Sequence, residues 1–130
     1  MCLASIVMIH PISPGIIDFS ESEPDVTHST PPADRILAGE PQHVVRNFFT
    51  DKSAQFFAGV WESSKGSWKV RYTENEFCHI TKGRVRIRDE DGRSWNFSAG
   101  SSFVIPSGFV GSWDVLEPTA KVYAIFEAAP

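Results

Sequence analysis

The feature of this chain that most constrains its fold is a succession of short apolar segments divided by turn residues. From Val44 onward, runs rich in Val, Ile, Phe and Trp alternate with polar clusters that contain Gly, Pro, Asn or Asp. In residues 84–88, Arg and apolar side chains strictly alternate, so one face meets solvent and the other meets a core. Asp-Glu-Asp-Gly at residues 89–92 follows as a hairpin turn. Such spacing predicts an all-β sandwich or barrel.

The same pattern predicts about nine strands in this part of the chain and no helix longer than one turn, around Arg35–Leu37. Turns are expected at residues 63–66 and at Lys82-Gly83, where small and polar residues cluster. The predicted strands cover residues 44–49, 55–61, 68–72, 77–80, 84–88, 95–97, 103–105, 113–116 and 121–126.

Composition excludes several classes of protein. The 130 residues carry 12 Lys plus Arg against 16 Asp plus Glu, a net charge of −4 that argues against nucleic-acid binding and against a polybasic membrane surface. The longest apolar run, residues 3–9, is too short to span a membrane, and no Lys or Arg precedes it as in a signal peptide. Cys2 and Cys78 do not form a disulfide framework. We predict a cytoplasmic protein with no membrane association.

The N-terminal region differs from the rest of the chain. Residues 1–17 contain no Asp, Glu, Lys or Arg, and short strands are expected at 6–9 and 16–17. Residues 20–34 are acidic and rich in Ser, Thr and Pro, which predicts an extended loop. We therefore predict an N-terminal arm and linker over residues 1–34 and one domain over 35–130. An arm this apolar should pack on its own barrel or on a partner, so we predict a homodimer formed through the arm and a sheet edge.

Two spacings in the second half of the chain resemble the motifs of the cupin family. Glu76 is followed by six residues and Gly83, and Gly100 by five residues, Pro-Ser-Gly at 106–108, two residues and Gly111. The cupin patterns are G-x5-H-x-H-x(3,4)-E-x6-G and G-x5-P-x-G-x2-H-x3-N. Over residues 36–127 the chain resembles small single-domain cupins of the subgroup that includes (S)-ureidoglycine aminohydrolase-type and ethanolamine-utilisation-type domains. The resemblance implies a jelly-roll barrel (a double-stranded β-helix), commonly dimeric, with a small-molecule pocket inside.

The resemblance also implies where a metal would bind. Metal-binding cupins use two His and a Glu of the first motif and one His of the second, and here only Glu76 remains. The two first-motif His positions hold Val70 and Tyr72 with a three-residue gap, or Lys69 and Arg71 with a four-residue gap; the second-motif His position holds Gly111. We predict no metal cofactor. The alternative is a divalent metal held by Glu76 and His79, but positions i and i+3 of a strand face opposite sides.

Without a metal, Glu76 needs another partner, since an isolated buried carboxylate is costly. Arg71 or Tyr72 is expected to oppose it, depending on the gap. Strand alternation brings Cys78 to the side of Glu76 and Trp113 to the side of Gly111. A structural polar cluster and a ligand pocket remain equal alternatives. The predicted ligand-binding residues are Arg71, Tyr72, Trp68, Cys78, Trp113 and Tyr123, with Trp61 as a further wall and His10, His28 and His43 as surface residues.

Three kinds of function follow from these residues. The favoured one is a protein that binds a small organic metabolite in the barrel without the usual metal. The alternative is an enzyme, either a C–N hydrolase of the ureidoglycine-aminohydrolase type or a metal-free isomerase or lyase with Glu76 as acid or base. A structural dimer with a filled barrel is the third. The sequence does not identify the ligand.

Overall fold

In the computed structural model, which describes residues 13–130, the chain folds into nine strands and one short 3-10 helix, Ala33–Arg35. No α-helix occurs in these residues. The strands are β1 Asp25–Ser29, β2 Ile36–Gly39, β3 His43–Thr50, β4 Phe56–Ser63, β5 Gly66–Arg71, β6 Asn75–Asp89, β7 Ser94–Ser98, β8 Ser102–Ile105 and β9 Val110–Phe126.

Two long strands, β6 and β9, take part in both of the sheets that face each other. β6 and β9 pair along their length and bend together, and all pairings are antiparallel. The first half of β6 and the second half of β9 belong to a sheet with the order β1-β3-β4-β9-β6-β8. The remaining halves belong to a sheet with the order β2-β5-β9-β6-β7. The chain is an all-β jelly roll, which confirms the predicted fold class.

The predicted turn at Lys82-Gly83 was wrong, because β6 continues through these residues with shifts of register. Gly83 has a φ of +90°, and a Cβ atom there would lie 2.4 Å from the Pro118 carbonyl oxygen. Glycine therefore allows β6 and β9 to cross closely where both bend. Like β6, β9 continues through its bend, so the predicted strands 113–116 and 121–126 are two parts of one strand.

The region before residue 35 also differs from its prediction. Residues 25–29, predicted as loop, form β1, which pairs with β3 although every residue of it is exposed. An edge strand needs only backbone hydrogen bonds on one side, so a polar sequence suffices. The predicted strand at 16–17 is absent, and Ile16 is 94% exposed. The expected strand at 6–9 and His10 lie outside the described residues. The division at residue 34 stays a prediction.

The core lies between the two sheets and contains mostly inward-facing residues of β5, β6 and β9. Along β6 burial alternates, with Glu76, Cys78 and Ile80 buried and the residues between them more exposed. The buried apolar residues are Trp68, Cys78, Ile80, Val85, Ile87, Ile105, Trp113, Val115 and Tyr123. Among residues 13–130, no helix is long and apolar enough to cross a membrane.

Candidate functional site

A buried ion pair lies inside the barrel near the start of β6. Glu76 of β6 and Lys121 of β9 are each only 4% exposed. The Lys121 Nζ atom lies 2.8 Å from the Glu76 Oε2 atom. The Tyr72 hydroxyl donates a 2.9 Å hydrogen bond to the other carboxylate oxygen, Oε1. Both oxygens of the carboxylate are therefore engaged, as burial of a charge requires.

Two tryptophans and a thiol complete the surroundings of the Lys121 ammonium. Nζ lies 4.6 Å from the ring centroid of Trp61 and 4.4 Å from that of Trp113, close enough for cation–π attraction. Burial alone lowers the pKa of Lys121, but the charge of Glu76 and the hydrogen bond to its carboxylate raise it by more, so it lies above the ordinary value of 10.5. Lys121 is therefore a fixed positive charge at neutral pH.

Three neighbouring groups, the side chains of Tyr72, Cys78 and Tyr123, keep their protons at neutral pH. Burial, reinforced by the Glu76 charge, raises the pKa of Tyr72 well above 10. Burial raises the pKa of the Cys78 thiol to about 12, so it is not a nucleophilic thiolate at neutral pH. Burial and the charge of Glu76 likewise raise the pKa of Tyr123 to about 12. The Tyr123 hydroxyl donates a 2.7 Å hydrogen bond to the Asn47 side-chain oxygen.

The structure selects one of the two predicted motif gaps. Val70 and Tyr72 pack against the core, whereas Lys69 and Arg71 are exposed. The three-residue gap therefore applies, and the partner of Glu76 is Tyr72, which directly follows β5, and not Arg71. The reason is the alternation of β5, in which Val70 shares the inward side of buried Trp68.

The residues at the cupin metal positions do not fit a transition metal. A Cβ atom at Gly111 would lie 1.9 Å from the Arg88 carbonyl oxygen, so an imidazole there would require the backbone to move. Glu76 already accepts bonds from Lys121 and Tyr72. Within residues 13–130, no group of three or more His, Cys, Asp or Glu side chains is arranged to hold a metal ion.

His79 does not join Glu76 at one site. Burial alternates along β6, so the His79 side chain lies on the face opposite to Glu76. Its Nδ1 atom lies 2.7 Å from the Ser102 hydroxyl oxygen, a hydrogen bond on the outer face. The two ligands of the alternative metal site therefore do not converge.

His43, predicted to be a surface residue, is instead half-buried at the open side of the barrel between β3 and β5. Its ring centroid lies 5.2 Å from that of Trp61 and 4.7 Å from that of Trp68. Its Nε2 atom is buried and has no hydrogen-bond partner among the described residues. Burial, with a smaller contribution from the charge of Lys121, lowers the pKa of His43 to about 4. The imidazole is therefore neutral at neutral pH.

A cavity of about 340 Å³ opens beside His43, and we call it the barrel-mouth cavity. On the barrel side it is lined by His43, Trp68 and Tyr72. The other lining residues are Thr30, Pro31, Pro32, Arg35, Lys69, Val70, Arg71 and Glu74. The Tyr72 side chain thus separates this cavity from the buried pair, since its hydroxyl contacts Glu76.

The predicted site residues divide between two places. Tyr72, Cys78 and Trp113 surround the ion pair, and Tyr72 also lines the barrel-mouth cavity together with Trp68 and Arg71. Tyr123 donates its hydrogen bond to Asn47. Arg71 does not oppose Glu76, which corrects that part of the prediction. Lys121 was missed, although it lies an even number of residues from Gly111 on β9 and so shares the inward face. His43 was missed because its burial comes from contacts with Trp61 and Trp68 on other strands.

Comparisons with known proteins place the chain among cupins. The sequence profile of the EutQ-like cupin domain matches residues 50–123, more than half of the chain. A DUF861-family protein of unknown function from Pseudomonas syringae pv. tomato is 24% identical with a TM-score of 0.71, over 77% of this chain and 43% of that one. The EutQ protein of Clostridium difficile is 20% identical with a TM-score of 0.61, over 68% of this chain and 64% of that one.

A third solved structure covers most of both chains. A putative ethanolamine utilization protein Q from Salmonella typhimurium is 15% identical with a TM-score of 0.61, over 83% of this chain and 98% of that one. The chain spans less than two thirds of the length of the first two structures. No curated protein sequence matches it. At these identities the structures show the shared fold. The matched profile, which covers more than half of the chain, shows that the chain belongs to the EutQ-like cupin family.

Proposed function

We propose that the protein binds a small organic carboxylate in the barrel-mouth cavity and needs no metal to do so. The observation that carries the proposal concerns His43, a residue that lines the cavity: its Nε2 atom is buried and has no hydrogen-bond partner among the described residues. A carboxylate in the cavity reaches this nitrogen when the imidazole ring turns towards it. A buried polar nitrogen without a partner costs about 1–3 kcal/mol. In the tautomer with the proton on Nε2, His43 donates a hydrogen bond to a carboxylate oxygen, which removes this cost.

The charges at the cavity support an anionic ligand. Arg35, Lys69 and Arg71 line it, against the single carboxylate of Glu74. None of these three cations forms an ion pair within 4.0 Å among the described residues. Trp68 offers an apolar wall, and the volume of about 340 Å³ is typical of a site for a small molecule.

The state of the buried cluster favours binding over catalysis. Lys121 is held as an ammonium, and the raised pKa of Tyr72 and of Cys78 keeps both groups protonated. Glu76 accepts two strong hydrogen bonds, so it is a poor candidate for the acid or base of an isomerase or lyase. The hydrolase alternative would need the metal ligands that this chain lacks. The cluster acts instead as a rigid polar support for Tyr72.

A thermal-shift and calorimetric screen tests the proposal. Protein dialysed against EDTA is titrated with acetate, succinate and citrate, and with succinamide as the uncharged counterpart of succinate. We expect at least one carboxylate to bind saturably and succinamide not to bind. The variants His43→Gln and Arg71→Gln should weaken binding about tenfold or more, because each removes a direct bond to the anion.

Arg84→Gln is the matched control, since Arg84 pairs with Glu117 and does not line the cavity. It should bind the carboxylate as the wild type does. The proposal is contradicted if no carboxylate binds to the metal-free protein, or if His43→Gln and Arg71→Gln bind as tightly as Arg84→Gln does.

We propose further that the chain forms a homodimer through its N-terminal arm. The proposal is supported by apolar side chains that the single chain leaves uncovered: Ile16 is 94% and Ile17 is 45% exposed. The edge strand β1 is exposed along its whole length and offers unpaired backbone groups for an added strand.

A further inference from the structure

A second cavity lies between the edge strands β7 and β8. It has a volume of about 290 Å³, and we call it the aromatic cavity. Among the described residues, Arg93 is the only charged one that lines it; the others are Ile87, Trp95, Phe97, Phe103, Val104, Ile105, Pro106 and Phe109. It shares no lining residue with the barrel-mouth cavity.

The walls of the aromatic cavity are rings held by their own packing. The rings of Phe97 and Phe103 stack with centroids 3.8 Å apart and an angle of 8° between their planes. Trp95 and Phe109 meet edge to face, with centroids 6.4 Å apart. Phe103 also contacts the buried Trp113, at 6.3 Å between centroids, which ties this wall to the core. The cavity is therefore preformed, and a planar ring can pack against these walls in the offset or edge-to-face arrangements that aromatic rings prefer.

Arg93 is positioned at this cavity by contacts on one side of its guanidinium. Its Nε atom donates a 2.7 Å hydrogen bond to Asp89 Oδ2, and its backbone N–H donates a 2.8 Å bond to Asp89 Oδ1. The guanidinium carbon lies 5.3 Å from the ring centroid of Trp95. The side chain of Arg93 is 70% exposed. These contacts use Nε and the face of the group, so the two terminal Nη groups can receive an anion.

From this geometry we propose that the aromatic cavity is a binding site for a small aromatic monocarboxylate. The ring packs among Trp95, Phe103 and Phe109, and the carboxylate binds the Nη groups of Arg93. The charge of the ligand follows from the cation of Arg93, and its apolar body follows from the other lining side chains. A volume of about 290 Å³ lies near the lower end for small-molecule sites, which suits a single ring.

Benzoate is the probe, with benzamide as its uncharged counterpart. In ¹H–¹⁵N spectra of the full chain, we expect benzoate to shift saturably the amide signals of residues 93–97 and 103–109. Benzamide should bind more weakly at the same residues. Arg93→Gln should weaken benzoate binding about tenfold or more and leave benzamide unchanged, whereas Trp95→Ala should weaken both. Arg84→Gln, on the outer face of β6, should bind benzoate like the wild type.

Three outcomes would contradict the binding of benzoate in the aromatic cavity. The proposal is overturned if benzoate shifts no signals of residues 93–109, or if its shifts centre on residues 43, 68 and 72 instead. It is also overturned if Arg93→Gln binds benzoate as tightly as Arg84→Gln does. Circular dichroism of each variant shows whether the fold is retained; because Arg93 is exposed, its substitution should leave the spectrum unchanged.

Discussion

Replacing Lys121 by Met should be one of the most destabilising single changes in this chain. The substitution keeps the length of the side chain but removes the ammonium that lies 2.8 Å from Glu76 Oε2. Because Glu76 is only 4% exposed, water cannot replace the lost partner. Leaving one member of a buried ion pair without its partner costs about 3–5 kcal/mol. For a domain of this size that corresponds to a fall in melting temperature of roughly 10–20 °C.

Chemical unfolding of the wild type and four variants measures this effect. Glu76→Gln alone should also be strongly destabilised, whereas Lys121→Met combined with Glu76→Gln removes both charges. The double variant should therefore lose less free energy of unfolding than the sum of the single variants, with an interaction of roughly 1–3 kcal/mol. Arg84→Met is the control: its pair with Glu117 is more than half exposed and should contribute at most about 1 kcal/mol.

The pH dependence gives an independent check with a defined sign. The pKa of Lys121 is higher in the folded chain than its ordinary value of 10.5. Its stabilising contribution is therefore complete below that pH and is lost as the pH rises through the folded value. The stability difference between wild type and Lys121→Met should shrink in this alkaline range. A stabilising role of the buried pair is refuted if Lys121→Met lowers the free energy of unfolding at neutral pH by less than Arg84→Met does.

Three further predictions concern groups outside this pair. Because the pKa of His43 is lowered to about 4, the wild type should lose stability as the pH falls from about 6.5 to 4, and His43→Gln should lose less; urea unfolding at several pH values decides this. Cys78 should resist iodoacetamide until the chain unfolds, because it is fully buried and its pKa is about 12; peptide mapping by mass spectrometry that finds it alkylated in the native protein would refute this. Deleting residues 1–17 should shift the protein towards a monomer in light scattering, and an unchanged dimer would exclude the arm from assembly.

The sequence predicted well what depends on local alternation. The inward side of Cys78 and Trp113 follows from the period of two along a strand, and both are buried. It could not decide between Tyr72 and Arg71, because the motif allows two gaps and the side of β5 that faces inward is known only from the burial of Trp68 and Val70 in the structure.

The sequence prediction failed where burial depends on a distant partner. Lysine is rarely buried, so Lys121 is expected at the surface unless Glu76 and two tryptophan rings are known to surround it. His43 is a similar case, since its burial comes from contacts with Trp61 and Trp68 on other strands. The strand β1 escaped prediction because an exposed edge strand carries no apolar pattern.

The metal-free protein should bind a small carboxylate at His43. The most direct test follows the two ring nitrogens of His43 by ¹⁵N NMR while EDTA-dialysed protein is titrated with the carboxylate that gives the largest thermal shift. We predict a saturable change of the Nε2 signal, because this buried atom gains a hydrogen-bond partner, with no further change when Mn²⁺ or Zn²⁺ is added. A His43 signal that does not respond, or that responds only after metal is added, would contradict carboxylate binding at His43 in the metal-free protein.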